Sequence, residues 1–244
     1  MTKYLNKYYW IRKIIVNSFF SKFFSEKKLN QIVFNSIYKS NHWNKSKKFN
    51  SKNQSFSGPG SIPGSIQTDN LIEELSNFFK NNNIIKILDA PCGDCAWIQR
   101  MFNANIDYTG IDIVEDLINK NKINFQSFEN VKFSCKDLTE NNEFNNFDFI
   151  LMRDFFIHLP IKSIEKILNN LKKSNCKYFA FNSYERVKTN VEISTGQHRK
   201  INILKEPFNF GKPYFKILEV KNENFTDESL KDNFIYIYKN NLFN

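Results

Sequence analysis

The sequence predicts an α/β fold: a seven-stranded, mostly parallel sheet flanked by helices, with an antiparallel strand at its C-terminal end. Two observations carry the prediction. From Ile84 onward, short β-branched and aromatic runs alternate with segments of helical spacing, the pattern of strands joined by crossover helices. Acidic residues then recur at successive strand ends, with Asp89, Asp112 and Asp137 after the first three and Asp154 just past the fourth. Side chains at the carboxyl ends of parallel strands converge on one crevice, so this spacing also predicts where a ligand binds.

The elements follow in order. Residues 4–24 interleave Tyr4, Leu5, Tyr8, Ile11, Ile14, Ile15, Phe19 and Phe23 with lysines at roughly helical spacing. Such a basic amphipathic helix either lies on an anionic membrane surface or packs its apolar face on the domain or a partner subunit. Residues 30–56 place Phe34, Ile37, Tyr38 and Trp43 among Asn, Ser and Lys, and a turn-rich Ser57-Gly-Pro-Gly-Ser61 follows. That turn reads either as a linker or as backbone that glycine lets approach a ligand. Leu71, Ile72, Leu75, Phe78 and Phe79 predict a helix from Thr68, with Asp69, Glu73 and Glu74 in its first turns and Asn81–Asn83 ending it. The strand over 84–88 runs into Asp89, a Pro-Cys-Gly turn and an expected helix. Further strands are expected over 106–113, 131–135, 147–152 and 178–182, with helices over 115–126 and 161–173. Residues 214–220 and 234–238 read as a closing antiparallel hairpin, and the long polar stretch 185–212 before them reads as a lid or binding loop.

Composition bounds the partners. The 244 residues are 41% hydrophobic and 16% aromatic, enough for a substantial core. The formal charge of +10 is uneven: residues 1–56 contain 12 Lys or Arg and the single acid Glu26, while the remainder is nearly neutral. The basicity therefore belongs to an N-terminal extension over 1–56, and the domain over 57–244 lacks the basic stripe that a nucleic-acid partner requires. Four cysteines in a chain this long suggest no disulfide framework, and no apolar run approaches the ~18–20 residues of a membrane span. The start also lacks the apolar core and cleavage site of a signal peptide. A reduced cytoplasmic setting is expected, peripheral at the inner membrane face if residues 1–28 bind anionic lipid.

Around the first crevice turn, a carboxylate, a glycine and backbone N–H groups suit a polar, nucleotide-like ligand. Asp112 stands close to the ~20-residue offset at which a carboxylate reaches ribose hydroxyls. No Gly-x-Gly-x-x-Gly and no Gly-Lys-Ser/Thr follows the strand, which argues against pyrophosphate-binding dehydrogenase and Walker-type sites. Cys92-Gly-Asp-Cys95 also fits a Cys-x-x-Cys redox pattern, although no second pair has the spacing of a structural zinc site.

The residues Asp89-Ala-Pro-Cys-Gly-Asp94, Gly110-Ile-Asp-Ile113, Lys136-Asp-Leu138 and Arg153-Asp-Phe-Phe-Ile-His158 resemble successive motifs of class I S-adenosylmethionine-dependent methyltransferases, which have a Rossmann-like sheet. Ile37-Tyr38, Trp43, Ser57–Ser61, the segment Asn190-x-Glu-Ile-x-x-Gly196-x-x-Arg199-x-x-Asn202 and Pro207-Phe208 are similar to a bacterial subgroup often encoded beside surface-glycan biosynthesis genes. The resemblance covers residues 34–238. It implies S-adenosyl-L-methionine as cofactor: Asp89, Cys92 and Gly93 at its methionine end, Asp112 on both ribose hydroxyls, Ile113 against adenine, and Asp137 with the Leu138 amide at the adenine edge. Pro91 and Cys95 stand where many members carry glycine, which bears on the loop's shape more than on the cofactor. No metal is implied.

A methyl-transfer enzyme chiefly aligns its nucleophile, and a hydroxyl acceptor gains from a general base. If Asp154 opens a helix, His158 shares its face, so His158 is expected as base and Asp154 as its orienting or acceptor-binding partner. Arg153 is a candidate to bind an anionic acceptor. In the lid, Asn190, Glu192, Arg199 and Asn202 are the substrate-binding candidates. The expected function is methylation of a small-molecule or glycan acceptor, at a sugar-linked oxygen or a phosphorylated group. RNA methylation using the basic N-terminus, and a non-catalytic module in a glycan-assembly complex, are the alternatives.

Overall fold

The computed structural model describes residues 24–44, 55–140, 144–221 and 231–240, so the predicted amphipathic stretch lies outside it except for Phe24. Its elements are α1 (Glu26–Lys39), α2 (Ile66–Asn81), β1 (Lys86–Asp89), β2 (Asp107–Asp112), α3 (Glu115–Asn124), β3 (Val131–Cys135), β4 (Phe149–Met152), α4 (Ile161–Lys172), β5 (Tyr178–Tyr184), β6 (Phe215–Leu218) and β7 (Asn233–Lys239).

The strands form one seven-stranded sheet in the order β3-β2-β1-β4-β5-β7-β6. Strands β1 to β5 pair in parallel, and β7 pairs antiparallel to both β5 and β6. The expected sheet and its closing hairpin are both present. The chain winds outward from β1 through β2 to β3, then returns to β4 on the other side of β1. The β1/β4 junction is therefore the topological switch point, where a crevice opens beyond the carboxyl ends.

Alternation along the strands divides the core in two. Leu88, Ile150, Met152, Phe179 and Phe181 face one side, against α1 and α4. Ile87, Phe149, Leu151 and Ala180 face the other, against α2. Each helix buries residues spaced three and four apart: Ile164, Ile167, Leu168 and Leu171 in α4, and Leu71, Leu75, Phe78 and Phe79 in α2. Ser65 caps α2 by accepting from the Thr68 N–H at 3.3 Å, which sets its start two residues ahead of the expected Thr68. Past β1 the chain does not enter the expected helix. It turns through residues 90–97 and makes only a 3-10 turn over Ile98–Met101.

The N-terminal extension assigned to 1–56 divides. Its described part is no appendage: Val33, Phe34 and Ile37 of α1 pack in the same core as Leu88 and Ile150. Ser25 caps α1 and Glu26 occupies its first turn, while Asn30, Val33, Phe34 and Ile37 align on one buried face. No helix of the described residues is long and apolar enough to cross a membrane. Because Ile37 is only 1% exposed, Ile37→Ala should lower the unfolding free energy by about 2–4 kcal/mol in urea titration. An unchanged midpoint would show that α1 contributes nothing to the core.

Candidate active site

Two adjoining compartments open at the carboxyl ends of β1, β2 and β4. The first, of about 500 Å³, is lined by Asp112, Ile113, Asp137 and Leu138 on the sheet side and by Asn30 and Phe34 from α1. The second, of about 510 Å³, is lined by Asp89, Cys92, Gly93 and Arg153, with Ser57 and Ser61 opposite. Tyr38, Trp43, Pro91, Asp154 and His158 line both and form the shared wall.

The sheet places the carboxylates. Asp89 ends β1 and accepts from the Tyr108 hydroxyl at 2.7 Å. Asp112 ends β2, with one oxygen accepting from the Gly93 N–H at 3.1 Å and the other from the Val114 N–H at 2.9 Å. Asp137, past β3, accepts from the Thr139 N–H at 2.9 Å and hydroxyl at 2.8 Å, and from Asn30 Nδ2 at 3.2 Å.

Gly93 is fixed by two constraints. Its φ of +55° lies in the left-handed region, and a Cβ there would stand 2.2 Å from Ser57 Oγ. Ser57 Oγ accepts from the Asp94 N–H at 3.1 Å and donates to Asp94 Oδ1 at 3.0 Å, and Ser55 and the Phe56 N–H also donate to the Asp94 carboxylate. The turn-rich segment after residue 55 is thus clamped over the turn that follows β1 and is no linker. Gly60 lies close as well: a Cβ on it would sit 3.3 Å from Asp154 Oδ2.

Arg153 and Asp154 follow β4. Arg153 is buried, and its Nε and Nη2 donate to Glu219 at 2.9 and 3.1 Å while Nη2 also donates to the Gly60 carbonyl at 2.8 Å. Burial alone would lower the guanidinium pKa, but Glu219 raises it above its ordinary value. The charge expected to bind an anionic acceptor is therefore already paired within the protein. Glu219 was not singled out from the sequence, yet its fully buried carboxylate also accepts from Gln67, from Asn182 at 3.1 Å and from Asn233 at 2.8 Å. An acid flanked by Leu218 and Val220 just past β6 was the available signal, because a buried charge needs a partner.

Asp154 does not open a helix. Its φ is +52°, held by its N–H donating to Asn182 Oδ1, and His158 closes a 3-10 turn over Phe156–His158. The expected four-residue helical register is absent, but the two side chains still share the cleft wall. His158 Nδ1 lies 2.9 Å from the Gln197 carbonyl, which can only accept, so Nδ1 carries a proton and in the neutral ring Nε2 is the acceptor nitrogen. Its ring packs against Trp43 and His198, with centroids at 5.2 and 5.6 Å.

The four lid candidates line neither compartment. Asn190 and Asn202 brace the lid internally: Asn190 accepts from the Asn202 N–H at 2.8 Å and donates to the Glu206 carbonyl at 2.8 Å, while Asn202 donates to the Val187 carbonyl at 2.9 Å. The Glu192 carboxylate accepts from the Ile161 N–H at the start of α4, 3.2 Å away. Arg199 is buried, with Nη1 donating to the Leu159 carbonyl at 2.6 Å and with Nε and Nη2 lacking hydrogen-bond partners. Cys92 and Cys95 are free buried thiols whose pKa values burial pushes up, the opposite of a reactive Cys-x-x-Cys pair.

The donor set fits S-adenosylmethionine. Asp112 offers acceptor oxygens for a vicinal diol, and Ile113 and Leu138 are apolar walls for a base. In that fit the first compartment would take the base and ribose and the second, more polar one the amino-acid end.

Burial sets a cost on this arrangement, holding the Asp89 carboxyl up at about 7 and that of Asp112 up at about 6, although hydrogen bonds oppose both shifts. The folded protein retains these protons to higher pH than the unfolded chain, whose carboxyls titrate near pH ~4, so stability falls as pH rises through about 6 and 7. Between pH 6 and 8 the unfolding free energy should drop by roughly 1–2 kcal/mol, and Asp89→Asn should remove most of that drop in urea titrations at several pH values. Equal slopes for both proteins would mean that Asp89 is already ionised at pH 6.

Residues 88–175 match the family model described as a methyltransferase domain. No curated protein matches the chain. Among solved structures, TehB from Haemophilus influenzae is 19% identical with a TM-score of 0.49, the alignment covering 68% of this chain and 61% of that one. Magnesium protoporphyrin IX methyltransferase (ChlM) from Synechocystis PCC 6803, solved with bound SAM, is 14% identical with a TM-score of 0.49, covering 70% of this chain and 81% of that one. The methyltransferase domain of bacterial CtHen1 is 12% identical with a TM-score of 0.45, covering 48% and 67% respectively. The segment that matches the methyltransferase-domain model runs from within β1 to just before β5 and so contains the switch point and the carboxylates that end β1 and β2.

Proposed function

We propose that the chain methylates a hydroxyl oxygen on a small polar acceptor, a sugar or a sugar-linked group, with His158 as general base. The observation that carries this reading is the tautomer of His158. Nδ1 donates to the Gln197 carbonyl, so Nε2 is the proton-accepting nitrogen on the wall shared by both compartments. S-adenosylmethionine supplies the electrophilic methyl group. The protein's own residues orient the acceptor, receive its proton and limit water.

Asp154 stands beside His158 on that wall, partly exposed, with Oδ2 3.4 Å from Arg153 Nη1. A carboxylate held there accepts a hydrogen bond from a second acceptor hydroxyl, which fixes the orientation of a polyol. Trp43 adds an aromatic face against which a sugar ring can lie. The pairing of Arg153 with Glu219 favours the neutral sugar oxygen over the phosphorylated group, because the guanidinium cannot turn to a phosphate without leaving Glu219 buried and alone. Assignment to surface-polysaccharide biosynthesis rests on the resemblance to the bacterial subgroup.

Liquid chromatography–mass spectrometry of surface-glycan precursors, comparing a deletion strain with its parent, identifies the acceptor as the precursor that lacks a methyl group. With that acceptor, His158→Ala should lower kcat by about 10²–10⁴-fold. The same variant should bind S-adenosylhomocysteine within about twofold of the native protein by calorimetry, a difference of ~0.4 kcal/mol. Asp154→Asn should raise KM more than it lowers kcat. Unchanged kcat in His158→Ala removes the general-base assignment.

A further inference from the structure

We propose that Asn30 is a positioning residue that couples the adenine end of the cofactor cleft to the lid segment 194–199, and through it to His158. The inference rests on the cofactor reading, which puts the adenine edge at Asp137.

Asn30 lies on the apolar face of α1, in register with Val33, Phe34 and Ile37, and is 3% exposed. A buried amide on such a face costs stability unless both of its ends are bonded. Both are. Nδ2 donates to Asp137 Oδ2 at 3.2 Å, and Oδ1 accepts from the Thr195 hydroxyl at 3.2 Å. The orientation of the amide follows from chemistry: a carboxylate only accepts, so the NH2 group must face Asp137 and the carbonyl oxygen must face Thr195.

The two partners belong to different parts of the reaction. Asp137 lines the base-and-ribose compartment. Thr195 lines neither compartment, but the residues that follow it hold the 3-10 turn of His158. The Gly196 N–H donates to the His158 carbonyl at 2.8 Å, the Gln197 carbonyl receives His158 Nδ1 at 2.9 Å, and the Arg199 N–H donates to the Ile157 carbonyl at 3.0 Å. A path therefore runs by hydrogen bonds from Asp137 through Asn30 to Thr195, along the backbone from Thr195 to Gly196 and Gln197, and by hydrogen bonds from these to both the backbone and the ring of the proposed base.

The sign of the coupling follows from the geometry. Asn30 and Phe34 of α1 line the first compartment, so a ligand there stabilises the seated helix. The seated helix presents Asn30 to Thr195 and so stabilises segment 194–199. Cofactor and lid should favour one another, and the effect is reciprocal. His158 is then best placed when the cofactor is bound.

Hydrogen–deuterium exchange on the full chain tests this without a known acceptor, with S-adenosylhomocysteine as the probe and calorimetry reporting its binding. In the native protein, saturating S-adenosylhomocysteine should slow exchange at the Gly196 and Arg199 amides by at least about fivefold, the lower end of usual couplings. Thr195→Val removes the hydroxyl at nearly constant volume away from the cleft. It should abolish the slowing and, because the coupling is reciprocal, weaken S-adenosylhomocysteine binding by the same factor, about fivefold, and Thr195→Ser should restore both. Asn30→Ala should abolish the slowing and also weaken S-adenosylhomocysteine binding. Undiminished slowing in Thr195→Val, or native binding with no slowing, overturns the coupling and leaves the cofactor reading standing. Failure of the native protein to bind S-adenosylhomocysteine overturns the cofactor reading and the coupling with it.

Discussion

The buried ion pair of Arg153 and Glu219 is the interaction on which the site depends. Glu219 comes from the hairpin edge of the sheet and Arg153 from the end of β4 beside the switch point, so the pair ties the antiparallel closure to the crevice. Removing two charges from water costs several kcal/mol, which only good geometry and further hydrogen bonds recover. Glu219 has those bonds from Gln67, Asn182 and Asn233, and Arg153 adds the Gly60 carbonyl and stacks 5.0 Å over Trp97. The consequences reach each functional piece. Asn182, oriented by Glu219, holds the Asp154 N–H and with it the left-handed turn, while Arg153 holds the loop containing Gly60 against the cleft.

A second constraint acts on the cofactor side. Asp89 and Asp112 are buried carboxylates whose charged forms are disfavoured by burial and only partly restored by N–H and O–H donors. Their placement at strand ends disfavours the charged form in the protein alone. Tyr108 on β2, Val114 just past it and Gly93 in the turn after β1 supply the donors that make the arrangement tolerable.

Much of this was legible in the sequence, because strand period, strand-end acids and interrupting turns are local signals. The sheet, its winding and the crevice carboxylates follow from them. What was not legible depends on distant partners or on backbone conformation. Arg153 reads as a free cation until Glu219, far along the chain, is seen against it. Asn190, Glu192 and Asn202 read as substrate ligands because they are polar residues in a long loop, yet such a loop must also satisfy its own backbone, and they do so here. Asp154 and His158 were paired by assuming a helix, and the structure instead uses a left-handed residue and a 3-10 turn. Asn30 had a signal that went unread: a polar residue in register with Val33, Phe34 and Ile37. The boundary at residue 56 followed charge, whereas packing places α1 inside the domain.

The clamp between Ser57 and the turn after β1 has a consequence for how this sequence can change over time. Gly93 has no space for a Cβ because Ser57 Oγ occupies it, and Ser57 is held there by Asp94, the next residue along. The three positions make a closed circuit in which each is the reason for another. Single substitutions at 57 or 94 loosen the roof of the cleft while the glycine requirement persists, and a side chain at 93 is admitted only after the roof has already moved. Drift at these positions is therefore ordered: the loop must change before the turn does.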